Sequence, residues 1–323
     1  MDSKIFDQQT MEDFFRGHLD LFPKARELLG LKISPHDPRF VLDKSAALAE
    51  YSLTLATDAG EQKLVLRAST DMAEKRKKHF QVLQALWNGD FSDGRNVVAR
   101  PIGYFPELKL LLYENVPGQS LYDKFQYKPD AEWKNRLDQA IDWLIMFHSK
   151  KPLSIPQAAF DWAEERRRFE QLSSALIKRF PAEAEDFKKA IARMIEQEQR
   201  LLKPETFHLI HGDFQPHNIL FRDHPPQTIV IDFNDAMLYD ELYDLSYFTT
   251  QVASMLTNLR QDNIPDLVQK LISRYVGARK LERDKTMEEK LKLFRAKTLL
   301  HIKAVIAPTD VHEISNYAEN KSN

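Results

Sequence analysis

The stretch that most constrains the fold is residues 206–236, which read TFHLIHGDFQPHNILFRDHPPQTIVIDFNDA. Three short apolar runs alternate here with polar, turn-forming segments. The first run, Phe207–Ile210, leads to Asp213, while Asn218 begins the second and Asp232 ends the third. Short apolar runs bounded by Gly, Pro and Asp favour β-strands, so the pattern predicts a strand, a tight loop and a hairpin of two short strands. The three polar side chains would then converge at one end of the hairpin.

These three side chains carry oxygen atoms suited to one kind of chemistry. Two carboxylates and an amide are hard oxygen ligands for Mg²⁺, which keeps positions for phosphate oxygens and water. A nucleotide-dependent phosphoryl transfer needs one carboxylate to accept the proton of the attacking hydroxyl and further oxygen ligands to hold the metal. Taken singly, each residue is more often an ordinary turn or capping residue. Their joint spacing favours the metal-binding interpretation.

Two segments of this stretch resemble a known family. HGDFQPHNIL at 211–220 and IDFNDA at 231–236 are similar to the aminoglycoside phosphotransferase and choline kinase family, the small-molecule branch of the protein-kinase-like fold. The likeness covers most of residues 39–250. It implies a bilobal α+β fold, with an antiparallel-sheet N-lobe and a mainly helical C-lobe, in which nucleotide and substrate meet in the cleft.

The resemblance also implies roles for individual residues. Asp213 takes the position of the catalytic base, and Asn218 and Asp232 take the positions that bind Mg²⁺. His211 is then a residue that orders the loop. Asp244 is similar to the aspartate that supports the catalytic loop from behind.

The N-lobe is expected at residues 1–115, with a helical preface at 4–30 that Gly30 can end, and with a five-stranded sheet plus one helix. The C-lobe, with the catalytic loop and acceptor site, is expected at 116–323. Hairpin-like alternation and helical spacing predict the elements of the N-lobe. The strands are 39–42, 47–57, 63–69, 97–104 and 108–113, and the helix is 71–87.

Four N-lobe residues are expected to contact the nucleotide. By resemblance, Arg67 at the end of its strand pairs with the phosphates, and the backbone groups of Glu114 and Val116 hydrogen-bond the base. The turn that should cover the phosphates contains no glycine; the Ser45 hydroxyl could reach a phosphate, or the segment could be a plain hairpin turn. A solvent-exposed arginine and a simple interdomain linker are the alternatives for the others.

One expected ion pair is ambiguous. Kinases place a glutamate on the N-lobe helix to hold the basic strand residue, but this chain has His79 at the aligned position, and Glu74 lies about a turn earlier. The sequence does not decide which of the two pairs with Arg67.

The second half of the chain is predicted to be helical. Helical spacing predicts helices at 131–149, 264–276 and 286–307, and two charged helices within 161–203 that break near Phe180-Pro181. In the family, a helical insertion before the catalytic loop helps to form the acceptor site.

Composition excludes several classes of protein. The chain has 323 residues, a net charge of -2 and no cysteine, which excludes disulfides and thiolate sites and argues against nucleic-acid or membrane binding. Neither a secretory signal nor an apolar run of about 20 residues is recognisable, so a cytoplasmic protein is expected.

The function that these features favour is a small-molecule kinase. It would transfer the γ-phosphoryl group of ATP or GTP, with Mg²⁺, to a hydroxyl of a metabolite or antibiotic. Two alternatives remain open: an adenylyl transferase that uses the same site, and a nucleotide-binding module without catalysis. The missing glycine loop and the uncertain helix glutamate motivate the second.

Overall fold

The computed structural model describes residues 4–35, 47–70, 75–126, 132–150 and 160–305. The chain packs as two compact units. The first comprises Met1–Gln119 and Leu220–Asp235, and the second comprises Ser120–Ile219 and Ala236–Asn323. The predicted lobe boundary after residue 115 stays a prediction, and packing places the hairpin residues 220–235 with the first unit.

An antiparallel sheet of five strands, in the order β1-β2-β3-β6-β5, forms the body of the first unit. Strand β2 shows why this sequence forms strands: Ala49, Tyr51, Leu53 and Leu55 are buried in strict alternation, as expected when successive side chains point to opposite faces. These residues pack against α1 and its flanking turns in one apolar core. The strands are β1 (Ala25–Pro35), β2 (Ala47–Thr57), β3 (Gly60–Thr70), β5 (Pro101–Phe105) and β6 (Leu110–Glu114), and α1 is Gln8–Gly17.

The helical preface predicted at 4–30 is only partly correct. A helix occupies Gln8–Gly17, but Ala25–Pro35 is a strand paired along its length with β2. Pairing with a neighbouring strand overrides a weak local helical pattern because strand preference depends mainly on context. Gly30 lies at a register shift of this ladder, typical of a β-bulge, and does not end a helix. The strand predicted at 39–42 lies outside the described residues.

A small second sheet joins distant parts of the first unit. The predicted strand 97–104 is in fact two strands, β4 (Asn96–Val98) and β5, and only β5 belongs to the large sheet. Strand β4 pairs in parallel with β10 (Pro226–Val230), which neighbours β9 (Ile219–Asp223). The predicted hairpin is thus present, and its parallel partner was not predicted. Helix α2 (Lys75–Trp87) matches the described part of the predicted helix.

The second unit is mainly helical, and its predicted helices are present. Pro181 begins a short turn that separates the two charged helices, as expected because proline cannot continue a helix. Two short strands, β8 (His208–Ile210) and β11 (Met237–Tyr239), pair antiparallel, and β7 (Gln119–Ser120) lies at the unit boundary. The helices are α3 (Leu121–Gln126), α4 (Trp133–Ser149), α5 (Trp162–Arg179), α6 (Ala184–Leu201), α7 (Leu242–Asn258), α8 (Ile264–Arg279) and α9 (Lys285–Val305). None of the described helices is long and apolar enough to span a bilayer.

The predicted α+β class is therefore confirmed, with an antiparallel sheet in the N-terminal part and helices in the C-terminal part.

A buried ion cluster ties three helices of the second unit together. Lys297 of α9 donates hydrogen bonds to Glu165 of α5 and, at 2.9 Å, to Glu198 of α6. The hydroxyl of Tyr239 donates to Glu198 at 2.7 Å. The Lys297 ammonium also lies 4.5 Å from the ring centroid of Phe169. Burial lowers the pKa of Lys297, but the two carboxylates outweigh burial and the pKa is raised. The amine therefore remains charged.

We expect Lys297→Met to destabilise the protein by about 3–5 kcal/mol, because two buried carboxylates lose their cation. Burial raises the pKa of Glu198, whereas Lys297 opposes this shift. A carboxyl group whose pKa is raised in the folded state stabilises that state at low pH. This contribution to stability is lost as the pH rises through the folded-state pKa. The free energy of unfolding that Lys297→Met removes should therefore be larger at pH 8 than at pH 5. Urea denaturation at both pH values measures it.

Lys270→Met is the matched control for this substitution. Lys270 makes a 3.0 Å ion pair with Asp138 at an exposed position of the same unit, and such pairs contribute roughly 0–1 kcal/mol. Equal losses for both lysine variants would show that the buried cluster contributes no more than a surface pair.

Candidate active site

The loop after β8 brings Asp213 and Asn218 together. Asn218 Nδ2 donates to the carbonyl oxygen of Asp213 and to its Oδ2, each at 2.9 Å. Gln215 Nε2 donates to the same carboxylate oxygen at 2.8 Å. Amide groups of its own loop therefore fix the orientation of the Asp213 carboxylate.

Local sequence explains this loop conformation. Gly212 has a φ of +79°, a backbone conformation that glycine adopts without steric cost. Pro216 begins a one-turn 3-10 helix that ends at Asn218, and its fixed φ suits a first helical position. Between them, Phe214 is fully buried, with its ring centroid 5.3 Å from that of Phe248 and 5.8 Å from that of Trp143. The buried ring anchors the loop in the core of the second unit.

Asp244, in the first turn of α7, supports this loop from below. Its carboxylate accepts hydrogen bonds from the backbone N–H groups of His211, at 2.7 Å, and Gly212, at 2.9 Å. His148 Nε2 lies 3.2 Å from the same carboxylate, and His148 Nδ1 lies 2.6 Å from the Tyr275 hydroxyl. His211 Nδ1 in turn accepts from the Asp213 N–H at 3.2 Å. These contacts agree with a structural role for His211 and with the predicted support by Asp244.

Asp232 lies in the first unit, after β10. Its φ is +67°, a left-handed conformation that aspartate tolerates better than most residues and that recurs at functional sites. Asn234 Nδ2 donates to Asp232 Oδ1, and Asn234 Oδ1 accepts from Arg76 of α2. The amide of Asn234 therefore connects the Asp232 loop to helix α2 by hydrogen bonds.

His79 of α2 fastens the same loop a second time. Its Nε2 accepts from the Phe233 N–H at 3.2 Å, and its Nδ1 lies 3.0 Å from Asn234 Oδ1. These contacts require the tautomer with the proton on Nδ1, since one nitrogen accepts and the other donates. His79 thus contacts the Asp232 loop, and Glu74 lies outside the described residues.

Arg67 on β3 is held by neighbours from its own sheet. It donates from Nε to Asn115 Oδ1 at 3.0 Å, and its Nη2 lies 3.3 Å from Glu50 Oε2 on β2. Glu50, which sequence analysis did not consider, is thus an ionic partner of Arg67.

Tyr113, partly buried, pairs with Arg67 in the strand ladder. Burial and the charge of Asp232 raise the pKa of Tyr113 to about 12, although the charges of Arg76 and Arg67 act to lower it.

The predicted connector to the base lies at the end of β6. The N–H of Glu114 donates to the Arg100 carbonyl at 2.9 Å, and the N–H of Asn115 donates to the Val65 carbonyl at 3.0 Å. Val116 follows as a partly buried residue. These bonds fix the backbone at Glu114 and Asn115, and the contact of Glu114 and Val116 with a nucleotide base stays a prediction. Ser45 lies outside the described residues.

Asn218 and Asp232 each carry oxygen atoms of the kind that Mg²⁺ binds. Within the described ranges, no three His, Asp or Glu side chains cluster as a metal site. Asn218 uses its nitrogen toward Asp213, so its amide oxygen is the atom that could bind a cation. Mg²⁺ is commonly held by one or two carboxylates together with phosphates, and Asp232 and Asn218 supply ligands of that kind. Their convergence on one ion stays a prediction.

A family model described as the phosphotransferase enzyme family matches residues 50–283, more than half of the chain. The chain belongs to the phosphotransferase enzyme family. Membership confirms the predicted resemblance and the predicted enzyme class. No curated protein sequence matches this phosphotransferase.

Solved structures with the same fold include three named enzymes. A spectinomycin phosphotransferase in complex with ADP and spectinomycin has 16% identity and a TM-score of 0.56, with 92% of this chain and 86% of that chain covered. The ethanolamine kinase of Plasmodium vivax has 13% identity and a TM-score of 0.55, with coverages of 95% and 84%. An aminoglycoside-3'-phosphotransferase of type VIII has 15% identity and a TM-score of 0.52, with coverages of 93% and 99%. The likeness confirms the predicted kinase-like fold.

Sequence reasoning missed several residues that contact the candidate catalytic and metal-binding loops. Gln215 could have been found from its place in the sequence between Asp213 and Asn218. Arg76 and Asn234 lie far apart in the chain and meet only through the fold of the first unit. No local signal in the sequence links them.

We expect Asp244→Ala to destabilise the phosphotransferase by about 3 kcal/mol, because two backbone N–H groups lose their acceptor. Hydrogen exchange at the Gly212 amide should become much faster than in the parent, and urea denaturation gives the stability. Asp142→Ala, which removes an exposed partner of Arg274, should change neither strongly. Unchanged exchange at Gly212 in a folded Asp244→Ala protein would contradict the supporting role.

Proposed function

We propose that this phosphotransferase transfers the γ-phosphoryl group of ATP or GTP to a hydroxyl of a small metabolite or antibiotic, in an Mg²⁺-dependent reaction. The observation that carries the proposal is the Asp213 carboxylate, oriented by Gln215 and Asn218 at the end of β8. A carboxylate held in one orientation serves as a general base because the geometry of proton transfer is set before the substrate arrives.

In the proposed reaction, the acceptor oxygen bonds to the γ-phosphorus as the bond from that phosphorus to the β–γ bridging oxygen breaks. The acceptor proton passes to Asp213, and the nucleoside diphosphate leaves. Mg²⁺ held by Asn218 and Asp232 would neutralise charge on the phosphates. Arg67, fixed by Glu50 and Asn115, would steady the phosphates with a planar, permanently charged guanidinium.

The remaining nucleotide contacts are proposed from the family resemblance. Backbone groups of Glu114 and Val116 would hydrogen-bond the base, and Ser45 stays a candidate phosphate contact. The predicted cytoplasmic location and the lack of nucleic-acid binding also stay predictions.

The acceptor class is proposed by analogy with two proteins of the same fold, a spectinomycin phosphotransferase and an ethanolamine kinase. A panel of amino alcohols, sugars and aminoglycosides, each incubated with γ-labelled or α-labelled ATP, tests the proposal. Label from the γ position on an acceptor supports a kinase, whereas label from the α position would identify an adenylyl transferase. Binding of nucleotide without transfer to any member of the panel, or to water, would favour the non-catalytic module.

We expect Asp213→Asn to lower turnover by roughly 10²-fold or more, the usual scale for loss of a general base. Fold and nucleotide affinity should be nearly unchanged, because the new amide keeps an oxygen that accepts from Gln215 and Asn218. Steady-state kinetics and calorimetric nucleotide titration measure the two effects. Parental turnover in this variant would exclude Asp213 as the base.

We expect Asp232→Ala to abolish the Mg²⁺ enhancement of nucleotide binding, because Mg²⁺ sites of this kind have few protein ligands. Calorimetry with and without Mg²⁺ on both aspartate variants separates the two roles, since Asp213→Asn should retain the enhancement. A folded Asp232→Ala protein with the parental Mg²⁺ effect would refute the metal-ligand assignment. A turn residue without a metal role would instead show lost stability alone.

A further inference from the structure

A network of four buried side chains connects Asp244 to helix α8. His148 Nε2 lies 3.2 Å from Asp244 Oδ2, and His148 Nδ1 lies 2.6 Å from the hydroxyl oxygen of Tyr275. That hydroxyl lies 2.6 Å from Glu241 Oε2. All four side chains are buried. Each of the three contacts therefore needs a hydrogen atom from within this set of residues, the His148 network.

A neutral His148 would leave the network one proton short. Ionised carboxylates only accept hydrogen bonds, so Asp244 and Glu241 supply no proton. The phenol of Tyr275 supplies one, and a neutral imidazole supplies one more. The third contact would then bring two acceptors together with no hydrogen between them. An imidazolium donates from both ring nitrogens, and it satisfies all three contacts.

The third proton belongs on the imidazole. An ordinary imidazole is more basic than a carboxylate by about two pH units. Asp244 accepts two backbone N–H groups, and such bonds favour the ionised carboxylate. Burial raises the pKa of Glu241, but the hydrogen bond from Arg279 and the charge of His148 outweigh burial and the pKa is lowered. Burial, followed by the charge of Glu241, raises the pKa of Tyr275 well above its ordinary value, so the phenol keeps its own proton.

The charges around His148 also favour a cation. Two carboxylates of the network face one guanidinium, that of Arg279, which lies 2.8 Å from Glu241 Oε2. An imidazolium balances the second carboxylate, and unbalanced buried charge is costly. His148 also lies in the last turn of α4, where the helix dipole favours positive charge. His208 lies 4.0 Å from Glu241, but burial lowers its pKa, so it supplies no cation.

We propose that His148 is a buried imidazolium, and that its charge positions the Asp213 loop through Asp244. The Asp244 carboxylate accepts from the N–H groups of His211 and Gly212, so fixing this carboxylate fixes the backbone that leads to Asp213. The catalytic consequence rests on the proposed function of Asp213. A displacement of about 1 Å can cost about a hundredfold in rate. His148 acts through Asp244 and is therefore a positioning residue.

Nitrogen NMR of the full chain, labelled with nitrogen-15 in its histidines, tests the charge. At pH 8 an ordinary histidine is neutral, because its pKa is about 6.5. We expect the His148 ring to show two protonated nitrogens at pH 8, whereas the ring of the exposed His224 shows one. The His148 signal is identified by its loss in His148→Gln. A neutral His148 ring at pH 8 would overturn the proposal.

His148→Gln tests the positioning role. Glutamine has one donor end and one acceptor end, so it has the same proton deficit as a neutral imidazole. We expect the protection of the Gly212 amide against hydrogen exchange to fall about tenfold or more. The kcat should fall roughly tenfold, with KM changed less than about twofold. Parental protection and parental kcat in a folded His148→Gln protein would refute positioning.

Two controls accompany this substitution. His224→Gln changes an exposed histidine and should keep the parental protection and kcat. The Met287 amide donates to the Asp284 carboxylate at 2.7 Å in the same unit, and its protection should stay parental in His148→Gln. Equal loss of protection at Met287 and Gly212 would show general destabilisation and count against positioning.

Tyr275→Phe gives a second test if His148→Gln does not fold. It removes one acceptor of the imidazolium and keeps both His148 and Asp244. The His148 ring should lose its second proton at a lower pH than in the parent. Because the charge is present only below that pH, kcat should fall as the pH rises through it, and this fall should move down by the same amount. An unshifted ring would refute the network, and a shifted ring with an unshifted kcat profile would refute positioning.

The ring charge and the Gly212 protection are measured without substrate, so this proposal and the proposed function fail separately. A neutral His148 ring in an active kinase would refute the imidazolium alone. A doubly protonated ring and lowered Gly212 protection in His148→Gln, without phosphoryl transfer to any acceptor of the panel, would refute the proposed function. The imidazolium and its hold on the loop would then stand, with no catalytic base to position.

Discussion

In the second unit, one buried carboxylate accepts the hydrogen bonds of the backbone N–H groups that follow strand β8. Where β8 stops, the N–H groups of His211 and Gly212 leave the ladder, and both donate to Asp244. Buried backbone donors need acceptors. The carboxylate therefore permits the chain to turn at this point without leaving these N–H groups unpaired. Because Asp244 lies in the first turn of α7, the positive end of the helix dipole also favours its charge. The conformation that presents Asp213 follows from this arrangement.

In the first unit, side chains of α2 hold the loop at Asp232. In this loop, Asp232 has a left-handed backbone conformation. Asn234 donates a hydrogen bond to the Asp232 carboxylate, and the Asn234 Oδ1 bonds to Arg76 and His79 on α2. A neutral imidazole and an amide therefore occupy the place where the resemblance suggested a helix glutamate. With His79 engaged by this loop, Arg67 has a carboxylate partner on the neighbouring strand, Glu50. Helix α2 is thus coupled to the Asp232 loop through hydrogen bonds.

Sequence patterns were most informative where burial follows a strict period. Strand β2 was predicted at its observed bounds because every second side chain is apolar and buried. The Asp213 and Asn218 pair was recognisable because both residues lie within one short loop. Strand β1 was missed because its sequence has a loose helical pattern and only Leu28 is buried, so pairing with β2 decides its structure. Glu50 was missed for a related reason, since it meets Arg67 only through the register of β2 and β3.

The Lys297 cluster has a consequence for how the helical part of the molecule can diversify. Its ammonium comes from α9, but the carboxylates that surround it come from α5 and α6, the pair of helices that precedes the Asp213 loop. The two helices therefore cannot be exchanged as an independent module with those of a relative. A transplanted pair without acids at both positions would leave a buried cation unpaired, which is costly. Replacement of this helix pair would require matching changes about a hundred residues later in the chain, in α9.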